Sequence, residues 1–81
     1  MRLPRDVSSQ ALETALRRDF GYALTRQTGS HRRLTSQVNG THHVTIPAHN
    51  PLKLGTLRSI LREISTHHGL SIEHLIKQLN L

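Results

Sequence analysis

The chain has 81 residues, a formal net charge of +6 and a pI of about 11.5, which predict one small basic domain with a polyanionic partner, RNA or DNA first. The absence of cysteine excludes disulfides and thiolate zinc sites. No apolar run is long enough to span a bilayer, and Met1–Gln10 lacks the apolar segment of a signal peptide. We therefore expect a cytoplasmic protein without a membrane partner.

Positive charge is concentrated in the middle of the chain. No Asp or Glu lies between Asp19 and Glu63, which leaves more than half of the sequence without a carboxylate. A surface built this way attracts phosphate. It also excludes Asp and Glu as a local general base or magnesium ligand, so chemistry in this region must use histidine, arginine, lysine, hydroxyls or backbone amides. The cations of this stretch are Arg26, Arg32, Arg33, Lys53, Arg58 and Arg62.

The first helix is predicted to follow a short polar arm, residues 1–7. It is expected to start at a capping serine, Ser8 or Ser9, and to end at Asp19 or Phe20. Its apolar residues recur three and four positions apart, so one face is expected to pack on a core. These residues are Leu12, Ala15, Leu16 and Phe20.

Three strands are predicted next: Tyr22–Gln27, His31–Val38 and Thr41–Ile46. The last two form a hairpin around Asn39-Gly40. A two-residue turn there would place Leu34 opposite Thr45 and mix core and solvent faces. A three-residue loop with Gly40 in a bulge pairs Leu34 with Val44 instead, and we predict that register.

The predicted register sorts the hairpin side chains onto two faces. One face carries Arg32, Leu34, Val44 and Ile46. The opposite face is expected to stay open to solvent, because the helices cover only one side of an antiparallel sheet of this kind. That open face carries His31, Arg33, Thr35, His43 and Thr45.

Two helices are predicted to close the chain after a loop that contains His49. The first is expected to start near Gly55-Thr56 with Thr56 as its cap, and to stop at Gly69. Ser71 is expected to cap the second. The order α-β-β-β-α-α, with three antiparallel strands and helices on one face, predicts an α+β fold and a single domain over residues 1–81.

The segment from Gln27 to Arg33 is the candidate catalytic site. Gly29 and Ser30 turn the backbone so that His31 begins a strand, and a histidine can take or give a proton near neutral pH. RNA supplies its own nucleophile, the 2′-hydroxyl, so an RNA-cleaving site needs a proton-transfer group, cations and an in-line geometry. His31 with Arg33 satisfies that need. The alternative is that His31 simply contacts solvent.

Five basic residues are the candidate RNA-phosphate contacts: Arg26, Arg32, Arg33, Lys53 and Arg58. Lys53 precedes a helix whose N-terminal amides can hold a phosphate, although an ordinary helix start explains the same sequence. No metal site is expected, because the adjacent His42 and His43 would point to opposite faces of a strand and no carboxylate lies nearby in sequence. We expect no other cofactor.

Four blocks of the sequence resemble the HicA family of bacterial toxins. They are Gly21-Tyr22, Arg26-Gln27-Thr28-Gly29-Ser30-His31, Val44-Thr45-Ile46-Pro47-Ala48-His49 and Gly55-Thr56-Leu57-Arg58-Ser59-Ile60-Leu61. The closing Gly69-Leu70-Ser71 is also similar, whereas the arm Met1–Val7 departs from the family. The resemblance implies a fold like a double-stranded-RNA-binding domain, with His31 as the catalytic histidine. It also implies a HicB-type antitoxin that covers the site.

The sequence therefore favours a metal-independent endoribonuclease toxin that cleaves mRNA with His31 as general acid/base. Its antitoxin is expected to be acidic at the contact surface, because it must meet the basic segment between Asp19 and Glu63. That segment contains no Asp or Glu and is called the acid-free stretch below. A non-catalytic RNA-binding domain of the same fold is the alternative. A DNA-binding regulator is disfavoured, because no helix-turn-helix spacing with a basic recognition helix is evident.

Overall fold

The computed structural model describes residues 2–81 and confirms the predicted order of elements. The elements are α1 (Ser9–Phe20), β1 (Ala23–Thr28), β2 (His31–Ser36), β3 (His42–Pro47), α2 (Leu54–His68) and α3 (Ile72–Leu79). The strands form one antiparallel sheet in the order β1-β2-β3, so the fold is α+β as predicted. None of the helices within residues 2–81 is long and apolar enough to cross a membrane.

Helix α1 begins and ends at the residues that the sequence indicates. The Ser8 hydroxyl accepts a hydrogen bond from the Ala11 N–H (3.0 Å), so Ser8 is the N-cap. Gly21 adopts a positive φ of 70°, and its N–H donates to the Arg17 carbonyl (3.2 Å). A left-handed residue of this kind suits glycine, which has no Cβ to clash. The predicted apolar stripe of α1 is buried.

The N-terminal arm packs against the body of the protein. Val7 is buried, and its carbonyl accepts a hydrogen bond from the Leu52 N–H (2.7 Å). Leu3 also packs against the core. The arm is therefore tied to the segment just before α2.

The hairpin of β2 and β3 has the predicted register, with Leu34 paired to Val44 and Arg32 to Ile46. The ladder ends at the pair Ser36–His42, so the connection is five residues long, not three. The Ser36 hydroxyl causes the early end, because it donates to the Phe20 carbonyl (2.6 Å) and accepts from the Val38 N–H (3.0 Å). These bonds draw the chain away from the ladder after Ser36.

Strand β1 starts and ends one residue later than predicted, and all six of its residues are exposed. Its register shifts between Leu24 and Arg26, which marks a bulge at Thr25. Tyr22, which the sequence placed in this strand, lies just before it and is buried. The predicted role of Tyr22 in the core is thus confirmed, although it is not part of the ladder.

Helix α2 starts at Leu54, so the prediction that Thr56 is its cap is wrong. Lys53 is the N-cap residue, its side chain makes no capping bond, and its carbonyl accepts from the Leu57 N–H (2.9 Å). The buried Leu52, bonded to Val7, holds the chain so that the helix begins directly after it. Gly69 ends α2 and Ser71 caps α3 as predicted, with the Ser71 hydroxyl accepting from the His74 N–H (3.0 Å).

One apolar core lies between the three helices and one face of the sheet. The sheet contributes Leu34, Val44 and Ile46, and α2 contributes Leu57, Ile60, Leu61 and Ile64. The residues of β2 and β3 that alternate with these three point to the opposite face, because successive side chains of a strand alternate. That opposite face is called the open face below. Three of the six predicted site residues lie there, namely His31, Arg33 and Arg26.

Candidate functional site

His31 is the first residue of β2, directly after the turn of Gly29 and Ser30. The turn is closed by the pair Thr28–His31, and Gly29 has a positive φ of 57°. On the other side His31 pairs with Pro47 of β3, and the next residue, Ala48, donates its N–H to the Ser30 carbonyl (2.6 Å). Strand β2 is central, so His31 lies at one end of the sheet and not on a lateral edge strand. Its side chain is exposed on the open face.

Arg33 lies two residues further along the open face and is directly opposite Arg26 of β1. Like charges in directly opposed positions destabilise a sheet. Within residues 2–81 neither arginine forms an ion pair, and the Nε of Arg33 is buried without a hydrogen-bond partner. An unsatisfied buried donor of this kind costs about 1–3 kcal/mol. An anion on the open face would offset the repulsion between the two guanidinium groups, so the two arginines form a candidate anion site.

Arg32 lies on the helix side of the sheet, away from Arg33. Its Nε donates to Glu13 Oε2 of α1 (2.7 Å), and its Nη1 donates to Gln27 Oε1 (2.9 Å). The hydrogen bond to Glu13 raises the pKa of Arg32. Arg32 therefore links α1 to the sheet, and a phosphate contact would require it to leave Glu13. The fold thus brings a carboxylate of α1, from outside the segment between Asp19 and Glu63, to one of the cations of that segment.

Glu63 of α2 is the second carboxylate that the fold brings to the acid-free stretch. It lines a recess of about 470 Å³ beside the outer strand, together with His43 and Thr45 of β3. The sequence argument against local carboxylates considered distance along the chain only. Packing of α2 against β3 places this one beside the open face.

Lys53 and Arg58 face two different recesses. Lys53 lines a small cavity of about 140 Å³ with Pro47 and His49, near the end of the sheet that carries His31. Arg58 lines a separate recess of about 390 Å³ with Arg2 and Arg5 of the arm. The structure thus brings Lys53 towards His31 and places Arg58 elsewhere. None of the described residues that line either cavity is a carboxylate.

A buried hydroxyl joins histidines from two distant parts of the chain. Tyr22 Oη lies 2.8 Å from His42 Nδ1 and 2.9 Å from His68 Nε2. The amide nitrogen of Asn39, which can only donate, is 3.3 Å from His68 Nδ1. Neutral His68 therefore carries its proton on Nε2 and donates it to Tyr22, whose hydroxyl donates to His42. Each side chain therefore donates to the next in the order Asn39, His68, Tyr22, His42.

The surroundings of this cluster disfavour charge on its members. Burial lowers the pKa of His42 and of His68, and the nearby His67 lowers both further. Burial, with a smaller contribution from Glu63, raises the pKa of Tyr22 to about 12. His67 stacks on His42 at 4.4 Å, and its Nε2 lies 3.1 Å from the Gly40 carbonyl. The sequence analysis missed this cluster, and the doubled histidines were its only signal.

A second chain of hydrogen bonds crosses the open face. Thr25 Oγ1, in the bulge of β1, lies 2.8 Å from Thr35 Oγ1, which in turn lies 2.8 Å from His43 Nδ1. Thr25 also donates to the Arg33 carbonyl (3.3 Å). These bonds join all three strands and hold the backbone at Arg33. Within residues 2–81, no group of three or more His, Asp or Glu residues is arranged to hold a metal ion.

Comparison with known protein families gives one match. The model for the HicA toxin of bacterial toxin–antitoxin systems matches residues 9–65, from the first helical residue to the last turn of α2. Neither the curated proteins nor the solved structures contain a significant match to this chain. The likeness to a double-stranded-RNA-binding domain therefore stays a prediction.

Proposed function

The chain belongs to the HicA family of toxins of bacterial toxin–antitoxin systems, and from that premise we propose that it is an endoribonuclease that cleaves mRNA without a metal ion. Membership of the family implies an antitoxin partner. The proposal assigns His31 to proton transfer, and Arg33 and Arg26 to the phosphate.

The observation that carries the proposal is a pair of arginines that form no ion pair within residues 2–81, beside a histidine whose ring forms no hydrogen bond to any of those residues. Arg33 has a buried Nε with no partner, it faces the like charge of Arg26, and His31 lies two residues away on the same face. Two residues along a strand correspond to about 7 Å, a distance that an arginine side chain can cover. One phosphodiester can therefore meet His31 and a guanidinium together. Guanidinium groups bind phosphate oxygens by paired hydrogen bonds.

The chemistry follows from the groups that RNA itself brings. His31 accepts the proton of the 2′-hydroxyl, the 2′-oxygen forms a bond to phosphorus, and the bond from phosphorus to the 5′-oxygen breaks. The leaving 5′-oxygen takes up a proton from an acid or from water, so the products are a 2′,3′-cyclic phosphate and a 5′-hydroxyl end. Arg33 and Arg26 stabilise the charge that develops on the non-bridging oxygens. Lys53 is proposed to hold a neighbouring phosphate, and Arg58 a more distant one.

The antitoxin is proposed to be of the HicB type and to cover His31 directly. The same anion site would bind its Asp or Glu side chains in place of phosphate. Complementary charge of this kind speeds association and fixes the register of the two partners.

The test is the loss of cleavage in His31→Ala. A general acid or base contributes about 10²–10⁴-fold to the rate, so this variant should lose RNA cleavage and growth arrest. His74→Ala is the matched control, because His74 is also exposed and its ring makes no hydrogen bond within residues 2–81. A His31→Ala protein that binds RNA and still cuts it at the parental rate would contradict the assignment. Binding without any cutting by the unaltered protein would favour the non-catalytic RNA-binding alternative.

A further inference from the structure

The seven histidines of this chain divide into two groups. The rings of His42, His43, His67 and His68 form hydrogen bonds to other protein groups. Within the described part of the chain, the rings of His31, His49 and His74 form none. His74 lies on α3, whereas His31 and His49 lie at the same end of the sheet. That end therefore carries two free imidazoles.

The backbone around His49 is fixed by hydrogen bonds from His49 and Ala48 to two other segments. The His49 carbonyl accepts from the Ser9 N–H at the start of α1 (3.1 Å), and its own N–H donates to the Pro47 carbonyl (2.9 Å). The preceding residue, Ala48, is bonded to Ser30 of the turn before His31 (2.6 Å). A functional side chain needs this kind of rigid support if it is to meet its substrate in one geometry.

His31 and His49 are close enough to act on one phosphodiester. His31 is paired directly with Pro47, and such partners have Cα atoms about 4.5–5.5 Å apart. His49 is two residues beyond Pro47, so the two histidines have Cα atoms no more than about 13 Å apart. Pro47 separates them, because it is the ladder partner of His31 and precedes His49 by two residues in the chain.

The charges around His49 suit an anionic ligand. The small cavity that it shares with Pro47 and Thr56 is also lined by Lys53, and none of the described residues that line it is a carboxylate. The recess on its other side contains Glu13, but Arg32 occupies that carboxylate at 2.7 Å. A phosphate that reaches His49 therefore meets one unpaired cation and no unpaired anion among the lining residues.

We propose that His49 is a second catalytic residue, the general acid that protonates the leaving 5′-oxygen while His31 takes the 2′-hydroxyl proton. This inference rests on the proposed function of the same site. In-line displacement places the entering and leaving oxygens on opposite sides of phosphorus, so two proton-transfer groups separated by Pro47 fit the reaction. We assign the acid role to His49 because Lys53 beside it can hold the strand that leaves. No co-reactant is needed, since the proton gained by His31 and the proton lost by His49 balance.

The decisive experiment uses two RNA oligonucleotides that differ in one atom. In one, the 5′-oxygen at the cleavage site is replaced by sulfur, which leaves as a thiolate without protonation. His49→Ala should cleave normal RNA about 10²–10⁴-fold more slowly than the parental protein and lose most of that deficit on the thio substrate. His31→Ala should stay slow on both. His74→Ala should match the parental protein on both.

The pH dependence gives an independent reading. The parental protein should show a bell-shaped profile of kcat/KM, and His49→Ala should lose its alkaline limb, where the acid is deprotonated. A merely structural role for His49 would lower the rate without changing the shape or the response to sulfur. The assignment is overturned if His49→Ala cuts normal RNA at the parental rate, or if its deficit is equal on the two substrates. Cleavage of RNA lacking the 2′-hydroxyl would instead overturn the proposed function itself.

Discussion

Arg26 and Arg33 are directly opposed on neighbouring strands of the open face, and within residues 2–81 no carboxylate pairs with either. The residue next to Arg33 has the opposite environment, because Arg32 is bonded to Glu13 on the helix side of the sheet. Of these two adjacent arginines, Arg33 is therefore available to bind phosphate, whereas Arg32 links the sheet to α1. This contrast provides a matched pair of variants.

Arg33→Gln should weaken RNA binding and flatten its dependence on salt, whereas Arg32→Gln should leave the salt dependence unchanged. Each phosphate contact that is lost reduces the slope of log K against log salt by about one unit. Arg32→Gln should instead lower the stability of the fold, because Glu13 loses its partner. Binding titrations over a range of salt, together with urea denaturation, measure both effects. Equal slopes for Arg33→Gln and the parental protein would show that Arg33 does not meet phosphate.

Cleavage should persist in EDTA and should fail on an oligonucleotide whose 2′-hydroxyls are replaced by hydrogen. Both results follow if the substrate's own hydroxyl is the nucleophile and no metal-bound water takes part. Gel analysis of the products should reveal a 2′,3′-cyclic phosphate. Activity that disappears in EDTA and returns with magnesium or zinc would rule this mechanism out.

Stability should fall as the pH is lowered through the ordinary range of histidine. The pKa values of His42 and His68 are lowered in the folded state, so the unfolded chain binds more protons below about pH 6.5. The contribution of these neutral rings is complete above that pH and is lost as the pH falls through the lowered values. Urea denaturation between pH 5 and pH 8 measures the effect.

Two variants locate the origin of that pH dependence. Tyr22→Phe should destabilise the fold by about 1–3 kcal/mol, since it leaves the nitrogens of His42 and His68 without their shared partner. His68→Gln should reduce the slope of stability against pH, and His74→Ala should leave it unchanged. An undiminished slope in His68→Gln would mean that another group titrates.

Arg33→Glu should slow association with the antitoxin more at low salt than at high salt. Salt screens the attraction between exposed charges, so the loss of one attractive charge matters most when screening is weak. In the complex, His31 should be protected from modification by diethyl pyrocarbonate, while the exposed His74 should still react. A complex in which His31 reacts as fast as His74 would exclude direct occlusion.

Local patterns were sufficient to predict most of the backbone. Alternation of Leu34 with its neighbours specified which face is buried, and the pairing with Val44 then followed, because a slip of one residue would invert both faces. The glycines that end α1 and α2 were identified because their positive φ angles suit few other residues. The start of α2 was misplaced because a tertiary bond between Val7 and Leu52, not a side-chain cap, determines it.

Contacts between distant segments account for what the sequence did not reveal at the site. Glu13 and Arg32 are 19 positions apart, and Tyr22 and His68 are 46 apart, so no periodic pattern connects them. The expectation for His31 and Arg33 on one open face needed only the period of a strand. The position of His49 relative to His31 depended on a loop whose course only the structure provides.

Main-chain hydrogen bonds from Ala48 to Ser30 and from Ser9 to His49 hold the loop of His49 against the turn before His31 and against α1, and within residues 2–81 neither imidazole takes part in a hydrogen bond. Replacing either imidazole therefore leaves the shape of the surface unchanged. We expect that a gene in which the codon of His31 or of His49 is substituted still encodes a protein that binds the antitoxin. Such an inactive protein, made in the same cell, would compete for the antitoxin and so release active protein molecules from it. A single inactivating substitution could in this way increase toxicity while an intact gene is still present.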